Sequence, residues 1–108
     1  MANSFKRAQA VAGTTRVVVY GPVPALTTAI VFAGTLANID DTNKQRHTIT
    51  IEVGMAGPVY VRELNVIPVD YGASSKFPKT VLNPGEYIYA TSDVANVIQC
   101  VVQVLEKT

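Results

Sequence analysis

Few residues in this 108-residue sequence are able to do acid–base or nucleophilic work. His47 is the single histidine and the one side chain whose ordinary pKa lies near neutrality. No Ser or Cys nucleophile motif accompanies it, and the Gly-x-Ser-x-Gly pattern is absent. The simpler reading is a histidine at a strand end or in a sheet interior, satisfied by hydrogen bonds. Cys100, the single cysteine, cannot close an internal disulfide, and one Cys with one His is too few for a Cys/His zinc site. It lies among apolar residues with no neighbouring cation to favour a thiolate, so it reads as a small buried hydrophobe. Asp40, Asp41, Thr42 and Asn43 cluster oxygen atoms, but the alternating ligands and closing Glu of a calcium loop are missing, which leaves a solvated turn. Glu52, Glu63 and Glu86 would have to flank a sugar cleft to act as an acid–base pair, and a chain this short has little material for one. Tyr60, Tyr71, Tyr87 and Tyr89 could form a shallow carbohydrate-binding patch. Tyr87 and Tyr89 share one side of a strand, however, which suits a core edge or an interface equally well. Phosphate-cradling glycine loops are absent. The expectation is a non-enzymatic protein with no catalytic residue, no metal site and no cofactor.

The elements that must position these side chains read as strands. Val, Ile, Thr and Tyr are frequent, and Gly and Pro break the chain into short pieces. Residues 15–20 form a first strand, stopped by Gly21-Pro22-Val23-Pro24. Residues 28–38 form a second, with Ile30, Phe32 and Leu36 expected on one face and Gly34 marking a bulge or a close backbone approach. The clearest alternation puts His47, Ile49, Ile51 and Val53 on one side and Thr48, Thr50 and Glu52 on the other. Residues 59–64 continue as a strand, 65–69 as a further extended piece, and 70–76 as a loop. Residues 79–82 form a short strand that leads into Asn83-Pro84-Gly85, which suits a type II turn. A strand over 86–91 follows. In the last strand, 97–106, Ile98, Cys100, Val102 and Val104 make one side and Gln99, Val101, Gln103 and Leu105 a mixed side read as a subunit contact. The fold class is therefore all-β: an antiparallel β-sandwich or small jelly roll of seven or eight strands over residues 14–108. Residues 1–13 precede it as an N-terminal arm, a short helix or an extended segment, with Phe5 and Val11 as its anchors.

Composition narrows the function classes. Hydrophobic residues make up 48% and charged residues only 16%, too apolar for a disordered chain and less charged than a free monomer usually is. Part of the surface is therefore expected to be covered by copies of the chain in a homo-oligomer. Nine Lys and Arg against eight Asp and Glu give a net charge of +1, with no electrostatic reason to bind nucleic acid or an anionic membrane. No apolar run is long enough for a spanning helix, and the first residues lack the apolar stretch of a secretory signal.

Both ends of the sequence carry a resemblance. Met1-Ala2-Asn3-Ser4-Phe5-Lys6-Arg7-Ala8, then Thr14-Thr15 leading to Tyr20-Gly21-Pro22-Val23-Pro24-Ala25, resembles small structural proteins of tailed bacteriophages. So does the close: Val81-Leu82-Asn83-Pro84-Gly85-Glu86-Tyr87-Ile88, then Ala90-Thr91-Ser92-Asp93-Val94-Ala95-Asn96, then an alternating strand ending Val104-Leu105-Glu106. The resemblance implies a multicopy virion component assembled in the host cytoplasm: a capsid decoration or cement protein first, a neck, collar or tail protein second. Its implied partners are the major capsid protein or neck and tail proteins. A carbohydrate-binding sandwich is the alternative of another class. For the contacts themselves, Phe5, Val11, Tyr87, Tyr89, Val101 and Leu105 are the expected interface residues.

Overall fold

The computed structural model describes residues 3–40, 42–55 and 61–108, the side chains of 61–65 excepted. These residues form nine strands and no helix: β1 (Asn3–Val11), β2 (Val17–Tyr20), β3 (Thr28–Asn38), β4 (His47–Met55), β5 (Val61–Val69), β6 (Ser74–Lys76), β7 (Thr80–Leu82), β8 (Glu86–Ser92) and β9 (Ile98–Lys107). They build two antiparallel sheets packed as a sandwich. One has five strands, ordered β1-β9-β3-β6 with β7 also on the far edge of β3; the other has four, ordered β2-β8-β4-β5.

Period-two alternation puts the apolar halves of the long strands between the sheets. Ile98, Cys100, Val102 and Val104 of β9, with Val31 and Leu36 of β3, face Ile49, Ile51 and Val53 of β4 and Ile88 and Ala90 of β8; all are fully buried. The chain crosses from one sheet to the other at Ala12-Gly13. There the Ala12 N–H bonds the Ile98 carbonyl on the first sheet, and the Ser92 N–H bonds the Gly13 carbonyl on the second. The expected type II turn before β8 forms, with Gly85 in the left-handed region (φ 84°) that this turn position requires.

Several local expectations need correction. Residues 3–11 take the extended form, not the helical one: β1 pairs residue for residue with β9, from Asn3 opposite Lys107 to Val11 opposite Gln99. Most of its side chains stay exposed, so it is held by backbone hydrogen bonds more than by burial. Ile30, Phe32 and Leu36 do not share a face. The β3–β9 register slips between Val31 and Ala33, which inverts the alternation: Ala29 and Val31 point inward before the slip, Leu36 and Asn38 after it, and Ile30 and Phe32 are turned outward. Gly34 is not the bulge but the close approach. A Cβ there would lie 2.7 Å from the Phe77 Cβ and 2.8 Å from the Val101 carbonyl oxygen. The two pieces expected over 59–69 are one strand over the described residues, β5, which takes a register shift opposite Ile51 and Glu52. Pro68 is tolerated within it because β5 is an edge strand. The loop expected over 70–76 ends in β6, three residues paired with β3.

Candidate functional site

Two polar clusters interrupt the interior, one at each end of the sandwich. At the first, His47 opens β4 facing inward and is 3% exposed. Its Nε2 lies 2.6 Å from Asp40 Oδ2 and its Nδ1 3.1 Å from Asp93 Oδ1. Two carboxylate acceptors require two N–H donors, which only the imidazolium supplies. The bond to Asp40 raises the histidine pKa most; burial opposes it, and Asp93 adds to the rise. Asp40 is held below the usual carboxylate range, first by the Asn43 N–H on its Oδ1 and then by His47. Asn38 completes the cluster: its Oδ1 accepts the Asp40 N–H, and its Nδ2 donates to the Gln45 and Val69 carbonyls. Asp40 is therefore not the solvated turn residue expected from sequence but a buried counter-ion; Asp41 lies outside the described residues. With both ring nitrogens committed, His47 has none left to act as a base. Ser92 gives its hydroxyl to Asp93, not to the ring. The arrangement is an ionic clasp that ties the loop after β3 to the start of β4 and the end of β8.

At the opposite end Glu106 continues the inward alternation of β9 and is 6% exposed. The Tyr20 hydroxyl donates to its Oε2, and Lys6 Nζ lies 3.1 Å from its Oε1. Burial pulls the Glu106 pKa up, but Tyr20 and Lys6 together outweigh it and the net shift is downward. Burial and the neighbouring carboxylate push Tyr20 up. This cluster fastens β1 and β2 to β9. Sequence reasoning missed it, although a Glu placed in step with Cys100, Val102 and Val104 is itself the signal of a paired buried charge.

The remaining candidates do not converge. Glu52 faces outward and accepts both Nε and Nη2 of Arg16 at 3.0 and 3.2 Å, whereas Glu86 faces inward and accepts the Asn83 N–H. The two carboxylates sit on opposite faces of one sheet, and the Glu63 side chain lies outside the described set. Tyr87 and Tyr89 stack at 5.7 Å, and Tyr89, 7% exposed, donates its hydroxyl to the Met55 carbonyl. Tyr71 follows β5 next to the His47 end, while Tyr87 sits at the far end of the same sheet opposite Gly54, so the three described tyrosines make no common patch. Tyr60 lies outside the described residues. Cys100 is wholly buried, which pushes its thiol up to about 12. Among the described residues no group of three His, Cys, Asp or Glu side chains is placed to hold a metal ion.

What the structure does bring together is the outward face of the five-stranded sheet. Residues opposite one another in an antiparallel pair share a face. The registers therefore lay out a row Phe5–Leu105–Ile30–Val81 running across four strands, apolar throughout. Phe5 is 72% exposed, and its ring meets that of Phe32 edge-on at 6.0 Å. Beside the row lies an open groove of about 450 Å³, lined among others by Phe32, Gly34, Phe77, Val101, Lys76 and Lys79. Phe5, Val101 and Leu105 of the expected interface thus share this face, and so does Val11, opposite Gln99 at its far corner. Tyr87 and Tyr89 belong to the other sheet. Ile30, Phe32 and Val81 join the face only because of the slip in β3 and the pairing of β7, neither of which the residue pattern announces.

The fold is a β-sandwich of two antiparallel sheets, and the outward face of the larger one carries an apolar row. No protein-family model and no curated protein matches the chain. Among solved structures it is similar to a chain described under "Bacillus endospore appendages form a novel family of disulfide-linked pili", with a TM-score of 0.57 and 17% identity over 99% of this chain and 87% of that one. The likeness is one of fold.

Proposed function

We propose that the chain is a structural subunit of a bacteriophage particle, a multicopy decoration or cement protein that stabilises capsid subunits by laying its exposed sheet face against them. The observation that carries this reading is the row Phe5–Leu105–Ile30–Val81. Covering a large side chain such as Phe5 gains roughly 1.5–3 kcal/mol, and many such contacts repeated by symmetry add up through multivalency. The sequence resemblance at both ends of the chain supports the virion setting. β1 supports it as well: its outer edge has no strand neighbour among the described residues, and neither Pro nor a bulge blunts it. Disulfide linkage, stated of the endospore appendages, has no counterpart here. The single thiol is fully buried, so the folded chain presents no cysteine for a disulfide between copies.

Quantitative mass spectrometry and cryo-imaging of purified particles test the reading. The expected result is many copies per particle, with occupancy lost for Phe5→Ser. Particles without the chain, or occupancy indifferent to that substitution, would overturn it.

A further inference from the structure

The charges of the chain are sorted in a way its near-neutral total conceals. Every carboxylate whose side chain is described is committed within the chain. Glu52 pairs with Arg16, Asp70 with Arg46, Asp40 and Asp93 with His47, and Glu106 with Lys6; Glu86 accepts the Asn83 N–H. The five strands of the larger sheet contain one acid, Glu106, and it points inward. Their outward face carries Arg7 and Lys107 from β1 and β9, Lys76 from β6 and, at the groove wall, Lys79. These four cations make no ion pair with any described carboxylate. They bracket the apolar row: Lys107 lies one outward position beyond Leu105 on β9, and Arg7 one outward position beyond Phe5 on β1.

We infer that this face docks an acidic protein segment bearing apolar anchors, contributed by a different protein of the assembly. The apolar row would take the anchors, and the unpaired cations would take the carboxylates. Two copies of the chain stacked through this face would oppose cation to cation, and like charges brought together at an interface cost affinity. Nor does a second copy offer a described carboxylate free to meet them. A bare polyanion would satisfy the cations but leave the row and the groove exposed. The inference rests on the structural-subunit reading for its setting and adds the chemistry of the partner.

Fluorescence anisotropy with the whole chain and labelled nonapeptides tests it. The probes are a peptide alternating glutamate and valine with a central phenylalanine, its lysine-for-glutamate and serine-for-apolar counterparts, and oligothymidylate of equal charge. The expected result is that the first probe binds at least about tenfold tighter than each of the others. Phe5→Ser, Arg7→Glu and Lys76→Glu should each weaken it, while Lys44→Gln, off this face, should not. Equal binding of the lysine peptide, or equal binding of oligothymidylate with no effect of Phe5→Ser, would overturn the inference. So would self-association abolished by Phe5→Ser but indifferent to Lys76→Glu, which would assign the face to a second copy. The two readings fail separately. If particle occupancy depends on Phe5 but not on Arg7 or Lys76, the structural role stands and the acidic partner falls. If the peptide binds as described but particles lack the chain, the reverse holds.

Discussion

The two outward faces of the sandwich differ although the strands behind them follow the same alternation. On the four-stranded sheet the outward positions of β4 are Thr48, Thr50 and Glu52, and the shallow groove there is lined by four threonines with Arg16 and Glu52, which are bonded to each other. In charge that face is closed among the described side chains, although Val18 and Val66 stand exposed on it. The five-stranded sheet presents an apolar row and cations without counter-ions among the described residues. Inward, the sheets are interchangeable: both contribute branched aliphatic side chains with no exposure at all. The difference teaches that the described charges of one face are matched within the fold, whereas the other face carries cations that no described carboxylate matches.

The comparison can be broken first where the sheets should agree. Leu36→Ala in the larger sheet and Ile51→Ala in the smaller should each cost about 3 kcal/mol of unfolding free energy in denaturant titrations. Unequal losses would show that the sheets are not equivalent inside. Next, His47→Ala should cost about 2–3 kcal/mol at mildly acid pH, because it strands buried Asp40 without its counter-ion. The sign of the pH dependence follows from the shifts. His47 has a raised folded-state pKa, so its contribution is complete below the ordinary value of 6.5 and is lost as pH rises through the raised one. Asp40 is depressed, so its contribution is present above the ordinary 3.8 and is lost as pH falls through the lowered value. The melting temperature of the wild type should therefore decline above neutrality, and the decline should flatten in His47→Ala.

A smaller effect sharpens the outward contrast. Gly34→Ala drives a methyl group into Phe77 and the Val101 carbonyl and should cost about 1–3 kcal/mol while reshaping the groove. Smallest of all, Phe5→Ser on the open face should change monomer stability by less than about 0.5 kcal/mol. Arg16→Gln on the closed face should leave the melting temperature essentially unchanged. A large loss for Phe5→Ser would mean that the ring serves the fold and not a partner.

The sequence made some of this legible and hid the rest for physical reasons. The β4 face from His47 to Val53 could be read directly, because an uninterrupted strand keeps strict period two. In β3 the same rule failed, since a one-residue slip at Phe32 leaves no mark in residue type yet reverses every later side chain. β1 was obscured by Lys6-Arg7-Ala8-Gln9-Ala10, residues with good helix propensity. Its strand exists because β9, almost the whole chain away, supplies a pairing edge. The clasp at His47 joins residues 7 and 46 positions apart, a convergence that local pattern does not encode. The sorting of the charges needed both the register and the ion pairs before it became visible.

The sealed position of Cys100 has a practical corollary. A thiol that solvent never meets in the native sandwich reacts with an alkylating reagent only when β9 parts from its neighbours. The labelling rate of this one sulfur is thus a clock for the opening of β9, and slowing of that clock when a partner is added would report docking without any tag.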